Sequence, residues 1–347
     1  MPKRWVNRPE GSNWGDFGDD DQLGRLNLIT PEVRRKAAAE VIEGRAFCLS
    51  LPLNLPGGNL LNPRRHPPVL QPSEENGNAV INFPYARREE TATDVVCDDA
   101  VLLWTQYSTQ WDALAHVGQT FDADGDGEAE FVFYNGYRAG EHVRGPVDYS
   151  DGDAPTGHRY DGVSALGIEN YAEHSMQGRG VLVDLRRHFG DDRHYVSHED
   201  LMRVMAADNV QVEPGDMLLL HTGFGARIME MAGKPDVEVL QNACAVLNGR
   251  DAALQDWVRD SGVAALISDN YAVEGLPSKP GAGERYAALP LHELCLFKLG
   301  LPLGELWYLS ALADWLAAND RSRFLLTAPP LRLPGAVGSP ATPIATV

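Results

Sequence analysis

Positive charge is scarce in this chain, cysteine scarcer still, and long apolar runs are missing altogether. Lys and Arg total 30 against 49 Asp and Glu, a formal net charge of −19. Phosphate-rich partners need a basic face, so neither a nucleic acid nor an anionic membrane is expected as a partner. Cys48, Cys97, Cys244 and Cys295 lie far apart with no C-x-x-C pair. They read as reduced, structural thiols of a cytoplasmic protein. No apolar stretch reaches the roughly 18 residues of a membrane span. The start, Met-Pro-Lys-Arg-Trp-Val, leads into Gly-Ser-Asn-Trp rather than an apolar segment, so no secretory signal is expected.

Common catalytic signatures are missing too. There is no G-x-x-x-x-G-K-[ST] phosphate loop and no G-x-S-x-G elbow, and Gly178-Arg179-Gly180 precedes a strand pattern instead of following one. These absences remove the usual ATPase, lipase and dehydrogenase readings. Asp122-Ala123-Asp124-Gly125-Asp126-Gly127 imitates the first half of a calcium loop, but Phe133 stands where such a loop needs a bidentate Glu. A solvated acidic turn is the expectation there.

What is present suits a soluble globular protein: 347 residues, 44% hydrophobic and 23% charged. Residues 1–29 read as an irregular arm. Thr30-Pro31 then opens a helix expected to run to about Glu43. Strands are expected at 46–51, 180–185, 217–222 and 263–268. Helices are expected at 201–207, behind a Ser197/Asp200 capping box, and at 252–261. Pro-, Asn- and Gly-rich stretches at 52–90 and 122–160 read as long loops. Alternating helix and strand points to an α/β protein, a single large domain with long loop insertions. The expected divisions are an arm and helix over 1–44, the main domain over 45–320 and an extension over 321–347.

The chemistry concentrates in Trp104–His116. Gln106, Gln110, Asp112 and His116 are even numbers of residues apart and would share one face of an extended chain. A straight strand over that length would span about 33 Å, so a shared site requires the chain to bend. Trp111, between two of these residues, is a candidate pocket wall.

This spacing resembles the H-x-x-x-H-x-D-x-x-x-H signature of the cyclase family of metal-dependent hydrolases, which includes bacterial kynurenine formamidase and isatin hydrolase. Asp112 and His116 match its last two positions, while Gln106 and Gln110 stand at the two leading His positions. Gly178–Asp184, Gly215–Gly223, Asp269–Glu274, His292 and Glu305 resemble further family segments, so the likeness spans about 45–315. It implies the swivelling β/β/α architecture, a homo-dimer or homo-tetramer, and a small-molecule substrate. It also implies a divalent metal held by Asp112, His116, His292 and Glu305. Gln oxygens in place of imidazole favour a harder ion, manganese over zinc. The expected function is hydrolysis of a small cyclic amide, lactone or N-acyl compound by metal-activated water. Asp112 and His116 would be catalytic, and Gln106, Gln110 and Trp111 would bind substrate. The alternatives are a metal-independent cyclase or lyase using an Asp112–His116 pair, and a silent small-molecule binder.

Overall fold

The computed structural model describes residues 3–145 and 162–347. Of the loop expected at 122–160, residues 146–160 therefore lie outside the described residues. Among the described residues, nine strands form one mixed sheet: β1 (Ala46–Cys48), β2 (Gln110–Asp112), β3 (Gln177–Asp184), β4 (Met217–His221), β5 (Ala265–Ser268), β6 (Leu303–Glu305), β7 (Arg323–Thr327), β8 (Gly338–Pro340) and β9 (Ile344–Thr346). Their spatial order is β1-β9-β7-β3-β4-β5-β6-β2-β8. The central strands β3, β4, β5 and β6 run parallel, and the pairs outside them are antiparallel.

Continuous apolar runs such as Met217-Leu218-Leu219-Leu220 form the parallel strands because both of their faces are covered. Helices His198–Ala207 and Ala252–Asp260 pack against this sheet through Leu201, Val204, Leu254 and Val258, all in the main core. That core runs from Trp5 and Trp14 in the arm to Ala345 and Val347 at the other end. The arm is thus irregular but docked: Trp14 Nε1 donates to Phe297 O at 2.8 Å and its ring stands edge-on to Phe297 at 5.1 Å. Residues 323–346, set apart in sequence as an extension, supply β7, β8 and β9.

The first helix stops earlier than its sequence suggests, at Ala38 rather than about Glu43. The amides of Glu43 and Gly44 donate to Val347 O at 3.1 and 2.8 Å, which draws the chain out of the helix and into β1. The stretch 52–90 is likewise less irregular than expected. Val69–Pro72 pairs with Asp99–Leu102, and two shorter antiparallel pairs extend that ribbon. In the acidic turn, Asp122 accepts from the amides of Gly125 and Gly127, and Asp126 from that of Glu128.

The capping box forms as read. Ser197 Oγ accepts from Asp200 N at 3.1 Å, and Asp200 Oδ2 accepts from Ser197 N at 3.3 Å. Burial alone would raise the Asp200 carboxyl, but hydrogen bonds from His194, Arg203 and Ser197 overcome it and lower it to about 2. A depressed carboxyl stabilises the fold above its ordinary range and loses that contribution as pH falls toward its folded value. Ser197→Ala is expected to cost about 1 kcal/mol, read as a melting point lower by about 2 °C. Asp200→Asn should open a stability gap at neutral pH that narrows once pH drops below about 4, measured by thermal melts across pH.

Candidate metal centre

Sheet register builds the site. Antiparallel pairing of β2 and β6 sets Gln110 opposite Glu305 and Asp112 opposite Leu303. Gln110 and Asp112 are two apart on one strand, so both side chains project to the face that Glu305 also uses. Gln110 Nε2 donates to Asp112 Oδ1 and to Glu305 Oε2, each at 3.1 Å. All three side chains are buried.

Trp111 alternates to the opposite face, and this corrects its reading as a pocket wall. It is fully buried, donates Nε1 to Ala328 O at 2.8 Å and stands edge-on to Trp307 at 5.1 Å. Its partner in register is Gly304, where an added Cβ would press on both indoles.

The required bend is there. Strand β2 is only three residues long, with turns on either side closed by Tyr107 N to Trp104 O at 3.1 Å and His116 N to Ala113 O at 2.9 Å. These turns return Gln106 to His116, with Gln106 Nε2 3.4 Å from His116 Nδ1. His116 Nε2 lies 3.9 Å from Asp112 Oδ1, too far for a hydrogen bond. Burial holds the His116 ring below its ordinary pKa, against the pull of Asp112.

His292 arrives from a short helix, Pro290–His292, that continues as a π-helical turn over Glu293–Lys298. Such turns recur at functional sites because they re-aim side chains. Glu274 orients the ring: its Oε1 lies 2.9 Å from His292 Nδ1 and also accepts the Leu291 and His292 amides at 3.0 and 3.1 Å. Nε2 then faces Glu305 Oε1 at 3.2 Å. Burial would lower His292, but the Glu274 and Glu305 carboxylates outweigh it and push the ring up to about 10. Burial, joined by the Asp112 charge, raises the Glu305 carboxyl to about 7.

One donor atom each from Asp112, His292 and Glu305 lies within 4.8 Å of the others. His116, expected among the ligands, stands beside this group and is not one of the three. Two oxygens in the cluster, Gln110 Oε1 and Asp112 Oδ2, are buried without a hydrogen-bond partner, and Glu305 Oε1 meets only His292 Nε2. Orphaned buried oxygens are costly, and these oxygens together with an imidazole nitrogen make a donor set that fits a divalent cation.

Two residues escaped the sequence reading. Glu274 sits in a segment noted only for its family likeness. Tyr171, on the helix Glu169–His174, is fully buried with an unpartnered hydroxyl. Burial and then the Asp112 charge keep that hydroxyl protonated far above neutrality. No spacing pattern links either residue to 106–116.

The loop after β1 covers the site. Tyr107 Oη accepts from Gly57 N and donates to Gly58 O, both at 2.9 Å. Arg65 Nη1 donates to Gln106 O at 2.7 Å, and Asn62 Nδ2 donates to Tyr271 Oη at 2.8 Å. The cavity these residues leave is only about 10 Å³, room for about one water.

Known proteins share both the sequence pattern and the fold. Residues 49–275 match the Cyclase family. A crystal structure of a novel cyclase is 30% identical, with a TM-score of 0.71 and 97% of each chain covered. This chain belongs to the cyclase family. Its α/β architecture is the one the resemblance implied. Isatin hydrolase A from Ralstonia solanacearum shares the fold at 16% identity and a TM-score of 0.54, covering 91% of this chain and 97% of that one. Isatin hydrolase A from Labrenzia aggregata, bound to benzyl benzoate, shares it at 13% identity and a TM-score of 0.53, covering 89% and 94%. No curated protein matches the sequence. Among the described residues, no helix is long and apolar enough to cross a membrane.

Proposed function

We propose that this cyclase-family chain is a metal-dependent hydrolase of a small cyclic amide, lactone or N-acyl compound. The unpartnered oxygens of Gln110 and Asp112, gathered with Glu305 and His292, carry the reading. Asp112, Glu305 and His292 would hold the ion, with Gln110 Oε1 as a neutral oxygen donor. That mainly oxygen set suits manganese at least as well as zinc. When bound, the ion polarises a carbonyl and lowers the pKa of a water molecule.

The remaining work falls to the chain. His116, kept neutral by burial, can take a proton at Nε2 and return it to the leaving group. Gln106 steadies that ring at Nδ1. Glu274 fixes His292 with Nε2 toward the site, the carboxylate–histidine arrangement that supports metal-ligating imidazoles. The buried Tyr171 hydroxyl is a donor with no acceptor of its own. The covering loop excludes water around bound substrate. Likeness of fold to isatin hydrolases directs the substrate search to small cyclic amides first.

One feature favours the metal-independent cyclase or lyase reading. The Gln110 amide already bridges Asp112 and Glu305, as a cation would. Elemental analysis and chelation separate the two. The hydrolase reading expects about one divalent ion per chain in protein purified without chelator. It also expects turnover of a lactone or cyclic amide that chelation abolishes and manganese or zinc restores. Turnover indifferent to chelation would overturn it in favour of the metal-independent chemistry.

A further inference from the structure

A second hydrogen-bonded set lies at the carboxyl ends of β3 and β4, apart from the metal centre. Asp184 and His221 are register partners on those parallel strands. His221 is 3% exposed, with Nδ1 2.8 Å from Asp184 Oδ1 and Nε2 3.1 Å from Ser310 Oγ. A carboxylate at Nδ1 fixes the tautomer in which Nε2 accepts, and the hydroxyl at Nε2 is the proton it would accept. Geometry and roles, not order along the chain, define such a triad.

The surroundings agree with that chemistry. Ser310 is the first residue of the helix Ser310–Ala318, and no side chain caps that helix. Leu309 holds the cap position, and the Ser310 hydroxyl, one residue into the helix, meets a buried imidazole. Asp184, of this set, lines a largely polar cleft of about 170 Å³ with Ala313 and Ala317 of the same helix and with Arg187, Asp208 and Arg321. In α/β sheets, the carboxyl ends of parallel strands are where ligands bind.

We propose that Ser310, His221 and Asp184 form a second, metal-independent nucleophilic site that cleaves small carboxylic esters. His221 Nε2 takes the hydroxyl proton as Ser310 Oγ bonds to the acyl carbon. The bond from that carbon to the alcohol oxygen breaks, and the proton passes from His221 to the departing alcohol. Water then adds to the acyl-serine, giving its proton to His221. The bond to Oγ breaks, Oγ recovers the proton, and a carboxylic acid leaves.

The test treats the whole, chelated protein with diisopropyl fluorophosphate and reads intact mass and peptide maps. One adduct per chain on Ser310 is expected, absent in Ser310→Ala and formed at least tenfold more slowly in His221→Asn. Hydrolysis of p-nitrophenyl butyrate by chelated protein should follow the same order. Ser310→Ala leaves the helix start intact, and a melting point near wild type would tie its loss of labelling to the missing hydroxyl. No adduct, an adduct on another residue, equal labelling of His221→Asn, or labelling without ester turnover would each overturn the proposal.

Discussion

Glu305→Gln is expected to strip the metal from the protein while leaving the fold intact. Glu305 is buried opposite Gln110, shares that amide with Asp112, and turns its other oxygen to His292 Nε2 at 3.2 Å. An amide there removes one of two anionic ligands and leaves Asp112 and His292 with only the neutral Gln110 oxygen, too weak a set to compete with water for a divalent ion. The loss of affinity should exceed the 10–100-fold typical of disturbing an outer-shell partner. Glu274→Gln supplies the internal comparison, because Glu274 only orients His292. It should weaken metal binding within that 10–100-fold range. The neutral amide also relieves the crowding of two buried carboxylates, so chelated wild type and Glu305→Gln should melt at similar temperatures. Equal metal content in wild type and Glu305→Gln would remove Glu305 from the centre.

His116→Ala is expected to do the opposite, keeping the metal and losing the reaction. His116 stands outside the three-donor group, with Nε2 3.9 Å from Asp112 Oδ1. Its removal therefore leaves Asp112, His292 and Glu305 to hold the ion. A positioned general acid–base contributes about 10²–10⁴-fold, and kcat should fall by that amount with metal content unchanged. The pH profile adds a second readout. Burial lowers the His116 pKa, so the neutral, proton-accepting ring persists below the usual histidine range. Wild-type kcat/KM should then decline only when pH drops below about 6.5, and the variant should lose that limb. Unchanged turnover in His116→Ala would remove it from the mechanism.

How legible each site residue is depends on how it reaches the site. Gln110 and Asp112 are readable because two-residue spacing on a strand commits both to one face. The same rule turns Trp111 away from the pocket, where it packs on Trp307. Its adjacency in sequence to two site residues is not adjacency in space. The bend between Gln106 and His116 is demanded by length alone, and the turns at Tyr107 and His116 provide it. His292 and Glu305 are reached through family resemblance, since nothing local in 290–305 marks a metal ligand. Glu274 and Tyr171 depend on long-range packing, which composition and periodicity do not encode.

The fold shows a similar divide. Buried parallel strands announce themselves as apolar runs, and the capping box at Ser197 is a local signal that holds. The end of the first helix is not local: the Val347 carbonyl, from the opposite end of the chain, captures Glu43 and Gly44. Residues 323–346 read as an appendage because the family likeness ends at about 315, yet β7 pairs directly with β3 and β8 with β2, the strand that carries Gln110 and Asp112.

Anomalous diffraction from crystals grown with manganese tests the central claim most directly. The account predicts one strong peak within ligand distance of Asp112 Oδ2, Glu305 Oε1 and His292 Nε2, with His116 beyond that distance. Manganese seated elsewhere, or that cluster empty at saturating metal, would contradict it.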